Sequence, residues 1–119
     1  MPPSGPATPT DHPDHPDHRW VEVCTIDALL PGERKLIKID NVEIALFNID
    51  GTIFAIKNRC PHRGGPLIRG YIDSERGIKC PMHGWRFDLR TGESKRPAHA
   101  TVYQVKIEGR DVYTEVASL

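Results

Sequence analysis

The sequence predicts an all-β domain, a small antiparallel β-sandwich or barrel with one long irregular insertion between Asn58 and Trp85. Two observations predict it. From Trp20 onward, apolar residues alternate over short stretches bounded by Gly, Pro, Asn and Asp. No segment keeps a 3.6-residue apolar period for three turns.

Taken in order, Pro31-Gly32 marks an early turn. Val42 to Asn48 and Thr52 to Ile56 then flank Asp50-Gly51, a pair suited to the positive φ angles of a tight hairpin. Tyr71-Ile72-Asp73 is joined to Ile78-Lys79 by a turn from Ser74 to Gly77, and Thr91-Gly92 marks another turn. Val102 to Ile107 alternates as one strand, meets Glu108-Gly109-Arg110, and is followed by the alternating stretch Asp111 to Val116, a C-terminal hairpin.

Composition separates a tail from this domain. Residues 1–18 hold six of the 11 prolines, three acids, no Lys or Arg, and only Met1 and Ala7 as apolar residues, the composition of a disordered extension. Its Asp-His-Pro repeat favours polyproline II, which would line His12, His15 and His18 along one edge, an arrangement also able to bind metal. Residues 19–119 form the domain, with 16 basic and 13 acidic side chains.

The 119-residue chain has a formal net charge of zero, without the basic field that nucleic-acid binding needs. Its apolar runs, such as Ile44 to Phe47, reach only four residues. A membrane span needs about 20 and a secretory signal about 7–15, so a cytoplasmic protein without a membrane partner is expected. Three cysteines are too few for a disulfide framework or for a cluster held by four thiolates.

The insertion has a chemical reason in Cys60-Pro61-His62 and Cys80-Pro81-Met82-His83, two short boxes with 17 residues between His62 and Cys80. Two thiols and two imidazoles can hold one zinc or a two-iron cluster. Zinc sites commonly pair Cys with Cys and His with His, whereas each half here is mixed. A mixed half suits a bimetallic centre, with one cysteine from each loop on one iron and one histidine from each loop on the other. Glycines follow both histidines, in His62-Arg63-Gly64-Gly65 and His83-Gly84-Trp85, and permit backbone N–H groups to approach bridging sulfides.

With these two boxes, residues 20–116, about four fifths of the chain, resemble a Rieske [2Fe–2S] domain. The resemblance implies antiparallel sheets with a small inserted cluster-binding subdomain and one [2Fe–2S] cluster per chain. Cys60 and Cys80 would hold the inner iron, His62 and His83 the outer one, and Pro97 would lie in a third loop covering the cluster. Rieske proteins of cytochrome bc complexes carry an extra disulfide-forming cysteine in each loop, where this chain has Gly65 and Met82, and hydroxyl side chains at the positions of Trp85 and Phe87. Neither feature is available here.

Rieske oxygenases also contain such a domain but add a mononuclear iron held by two histidines and a carboxylate, which the remaining residues cannot supply. The chain thus resembles a free-standing ferredoxin, a monomer passing electrons from a flavin-dependent NAD(P)H reductase to a terminal oxygenase. The alternative is the small subunit that serves the large subunit of an NAD(P)H-dependent nitrite reductase. A zinc-bound interaction module and a redox sensor are more remote. No catalytic residue is expected. Electrons would pass at the edges of His62 and His83, with Arg63, Met82 and Trp85 as a docking rim or, for Trp85, as packing beneath the loop. Cys24 is expected to be a buried thiol and His99 a surface residue.

Without the hydroxyls, the potential is expected toward the low end of the Rieske range, roughly −150 mV. A redox titration yielding a value well above zero would contradict this.

Overall fold

The computed structural model describes residues 18–61, 64–82 and 84–117. The first 17 residues, with His12 and His15, lie outside them. The described chain builds β1 (His18–Thr25), β2 (Arg34–Ile39), β3 (Val42–Ile49), β4 (Thr52–Lys57), β5 (Tyr71–Ile72), β6 (Gly77–Lys79), β7 (Arg86–Asp88), β8 (Val102–Tyr103), β9 (Val105–Glu108) and β10 (Asp111–Ala117). Two single 3-10 turns, Ile26–Ala28 and Leu67–Arg69, are its helical elements. Three sheets result, ordered β1-β10-β9, β2-β3-β4-β8 and β5-β6-β7, and their pairings are antiparallel, as expected.

The centre of the fold is β3, which pairs with β2 and β4 and is buried on both faces. Ile44 and Leu46 point into one core with Leu29, Ile53, Ala55, Val112 and Val116. Ala45 and Phe47 point into a second core with Ile56, Leu67, Ile78, Phe87 and Leu89. The run Ile44 to Phe47 thus lacks alternation because neither face meets water. Each fully buried large side chain here contributes about 1.5–3 kcal/mol.

The β3–β4 hairpin forms at Asp50-Gly51, whose φ angles are +54° and +94°. Asn48 secures it from within the core, accepting a hydrogen bond from Gly51 N–H at 2.8 Å and donating to the Leu29 carbonyl at 2.8 Å. A second turn of this kind links β2 to β3 at Asp40-Asn41, again with both φ angles positive.

The stretch expected as one strand from Val102 to Ile107 is two strands in different sheets. β8 pairs with β4, whereas β9 pairs with β10. The chain changes sheets at Gln104, whose carbonyl accepts a hydrogen bond from Glu115 N–H at 3.0 Å. Alternation survives this corner because both strands keep one face on the core between the two sheets, where Tyr103 and Val105 pack.

One polar group in that core is unsatisfied. Thr114 is fully buried on β10, and its Oγ1 has no hydrogen-bond partner among the described residues. Removing a buried orphan hydroxyl while retaining its shape recovers its desolvation cost. Thr114→Val is therefore expected to stabilise the protein by about 1 kcal/mol, read as a higher urea midpoint with unchanged m-value; a lower midpoint would show that the hydroxyl is satisfied in solution.

Candidate metal centre

The third sheet, β5-β6-β7, lies within the insertion between β4 and β8, and anchors tie the insertion to the base. Asn58, buried directly after β4, donates through its side chain to Glu43 Oε1 at 3.1 Å and accepts from Ile68 N–H at 2.6 Å. Arg34 on β2 donates to the carbonyls of Ile68 and Gly70, both at 2.8 Å, while its guanidinium lies 5.1 Å from the Phe47 ring centre. Within the insertion, Asp73 pairs with Arg86 and accepts from Gly77 N–H at 3.0 Å. The Arg86 hydrogen bond holds the Asp73 carboxyl well below the usual carboxylate range, reinforced by the Gly77 and Glu75 amides. None of these anchors was singled out in the sequence, where each is an ordinary polar residue outside the two boxes.

The two boxes fold into matching turns. Cys60 N–H donates to Gly65 O at 2.8 Å and Gly64 N–H to Cys60 O at 2.6 Å; Cys80 N–H donates to Trp85 O at 2.8 Å and Gly84 N–H to Cys80 O at 2.9 Å. Four residues after its cysteine, each turn places a glycine in the left-handed region, Gly64 at φ +77° and Gly84 at φ +72°. The amides of Cys60, Gly64, Cys80 and Gly84 are thus engaged in the turns, which narrows the set of N–H groups expected to face sulfides.

Cys60 and Cys80 are 1% and 2% exposed and share a core with Ala45, Phe47, Ile56 and Phe87. The loops abut. A Cβ at Gly65 would lie 2.5 Å from Met82 Cγ and 3.1 Å from Cys80 Sγ. Gly65 and Met82, the positions of the second cysteines in bc-complex Rieske proteins, therefore face each other, and no disulfide joins the chain's three cysteines. His62, Arg63 and His83 lie outside the described residues, so the expected imidazole ligands carry no structural description. Among the described residues no cluster of three or more His, Cys, Asp or Glu forms a competing site.

Of the expected rim, Met82 is 57% exposed, but Trp85 is partly buried against the core, with the Arg96 guanidinium 5.2 Å from its ring centre. Arg96 thereby brings the Pro97 loop onto the second box, while Pro97 itself is exposed. Phe87 is fully buried. His99 is exposed, with Nε2 2.9 Å from Thr91 O. Cys24 is half-buried rather than buried, because β1 is an edge strand with a register shift between Glu22 and Cys24; burial still pushes its thiol pKa up, with Lys35 opposing.

Fold and site together define a small antiparallel β-domain that presents two buried thiols on abutting, matched loops. Residues 19–107 match the Rieske [2Fe-2S] domain family, and the chain belongs to it. The chain is 35% identical over 100 residues to the biphenyl dioxygenase ferredoxin subunit of Pseudomonas sp. (strain KKS102), covering 81% of this chain and 91% of that one. Among solved structures, the ferredoxin of carbazole 1,9a-dioxygenase from Nocardioides aromaticivorans IC177 superposes with TM-score 0.73 at 30% identity, over 84% of this chain and 98% of that chain. A Mycobacterium tuberculosis protein described as an NADH-dependent nitrite reductase small subunit superposes with TM-score 0.76 at 23% identity, over 86% and 98% of the two chains, a likeness of fold.

The residues present fit the family's [2Fe–2S] cluster: two buried thiols come from separate loops, and the contact at Gly65 leaves no space for a side chain. Gly65→Ala is expected to force the loops apart. Overpacking of this kind costs about 1–3 kcal/mol. The readout is lower iron and acid-labile sulfide per chain with an earlier thermal loss of the visible spectrum; full cluster content at wild-type stability would show that the loops do not abut.

Proposed function

We propose that the protein is a monomeric, cytoplasmic one-electron carrier that holds one Rieske cluster through Cys60, His62, Cys80 and His83. It passes electrons from a flavin-dependent NAD(P)H reductase to a terminal oxygenase. The observation that carries this reading is the pair of matched cysteine turns on one core. Among the described residues no group of three or more His, Cys, Asp or Glu offers a mononuclear iron site, and no helix is long and apolar enough to cross a membrane. The relatives named as ferredoxin components of dioxygenase systems support the oxygenase as acceptor. The nitrite reductase likeness, at 23% identity, extends to the fold alone.

When bound, the cluster supplies reversible one-electron exchange. The chain's residues set its surroundings. Cys60 and Cys80 would hold it through their sulfurs, and both are buried in the core that contains Phe47, Ile56 and Phe87, away from water. Trp85 and Phe87 offer no hydroxyl toward the sulfurs, which leaves the potential low. His62 and His83, each set between its turn's cysteine and glycine, are the ligands assigned to the solvent side.

Aerobically purified protein reduced with dithionite is expected to show an electron paramagnetic resonance signal with a mean g-value below that of four-cysteine clusters, at two irons per chain on the Rieske assignment. His83→Cys should shift the signal toward all-thiolate behaviour and make the potential more negative. A colourless, silent preparation with stoichiometric zinc would refute the proposal.

A further inference from the structure

We infer that the cluster-bearing end of the molecule is a docking surface for an acidic face of a partner protein. The inference rests on the carrier function proposed above and names the chemistry of the surface that meets it. The fold divides charge unevenly. Residues 58–101, between β4 and β8, hold nine Lys and Arg against four Asp and Glu, while the rest of residues 19–119 holds seven against nine. A chain of zero net charge thus has a cationic insertion and a mildly anionic base.

The side chains at the loops sharpen the division. Arg86 and Arg90 are neutralised locally by Asp73 and Asp88. Arg59, Lys95 and Arg96 are exposed and form no ion pair among the described residues. Arg59 lies along the first loop, its guanidinium carbon 3.4 Å from where a Cβ on Gly64 would stand. Arg96 lies over Trp85 of the second. An open cleft borders each loop. One, of about 550 Å³, has Lys38, Lys57 and Arg59 beside Gly64, with Glu43 as its carboxylate; the other, of about 420 Å³, has Lys95 and Arg96 beside Gly84, with Asp88 and Glu93 opposing.

The outer face of the β1-β10-β9 sheet has the opposite character. Glu22, Glu108, Asp111 and Glu115 share it against Lys106, which pairs with Glu108 at 3.3 Å and lies over the rings of Trp20 and Tyr113, its Nζ 4.6 and 5.4 Å from their centres. Such polarity turns the cluster end toward an acidic surface during diffusion and raises the encounter rate.

The test uses the full-length holoprotein, reduced with dithionite, desalted and mixed in a stopped-flow instrument with either ferricyanide or hexaamminecobalt(III). Each probe accepts one electron, and they carry opposite charge. The ferricyanide rate is expected to fall roughly tenfold from low to high ionic strength while the hexaamminecobalt rate rises. Arg59→Glu and Arg96→Glu should each lower the low-salt ferricyanide rate several-fold, whereas Arg110→Glu, an equal charge change at the β9–β10 turn, leaves it unaltered. Should Arg96→Glu lose its cluster, Lys95→Glu provides the same comparison. Salt-insensitive rates with both probes, or an equal effect of Arg110→Glu, would overturn the docking surface while a normal visible and paramagnetic signature keeps the carrier reading. Absence of that signature would overturn both.

Discussion

The structure depends on one repeated constraint: a cysteine must be buried while the proline just after it, Pro61 or Pro81, is exposed, twice over. Each box meets it with the same pair of backbone hydrogen bonds, one from the cysteine N–H to the carbonyl five residues on, the other back to the cysteine carbonyl from the glycine four residues on. The second bond turns the chain sharply enough to require a left-handed residue, and Gly64 and Gly84 adopt that conformation without the cost of about 1 kcal/mol or more that a side chain would incur. The histidine stands two residues after the cysteine in one box and three in the other. The matched feature is therefore the backbone turn between cysteine and glycine, while the histidine stands at a different sequence position in each box.

That constraint explains the division of labour in the rest of the fold. The two turns are separated along the chain, so β5-β6-β7 must bring them together, and Gly65 against Met82 and Cys80 is where they meet. β3 joins this insertion to the base because its two faces feed different cores. The Ala45 and Phe47 face reaches the cysteines, and the Ile44 and Leu46 face closes the sandwich. Cluster retention and folding of the insertion are consequently coupled through one core, and a group that binds only the folded loops stabilises them by mass action. The second core contains neither Cys60 nor Cys80 and joins the β1-β10-β9 sheet to the β2-β3-β4-β8 sheet.

Much of this was legible in the sequence, for reasons that differ by element. The boxes stand out because cysteine, proline and glycine each have few alternative uses at such spacing, and Asp50-Gly51 because glycine favours the positive φ its turn requires. Asp40-Asn41 makes a similar turn without glycine, so its signal is weaker. The break at Gln104 left no mark, since β8 and β9 both face the same core and the alternation runs across the corner. Asn58 and Arg34 were invisible as anchors because their roles lie in partners distant in sequence, Glu43 and Ile68 for one, Ile68 and Gly70 for the other. Trp85 was readable as either rim or packing, and only the Arg96 stack and its partial burial decide for packing.

Charge is the property most altered by passing from chain to fold. Summed over the sequence it vanishes, yet the insertion gathers basic side chains while the outer face of the β1-β10-β9 sheet gathers acidic ones. A carrier that serves two partners gains little from a large apolar interface, because tight binding to one slows delivery to the other. The cluster-bearing insertion fits that requirement. Among the described residues its exposed large apolar side chains are Met82 and Tyr71, while Arg59, Lys95 and Arg96 there are exposed and form no ion pair within that described set. Long-range charge acts mainly on the association rate, whereas buried apolar area slows dissociation. A polar molecule with few apolar anchors is therefore suited to frequent, correctly oriented and short-lived encounters, which is the kinetic demand that one-electron transfer between separate proteins places on the surface around its centre.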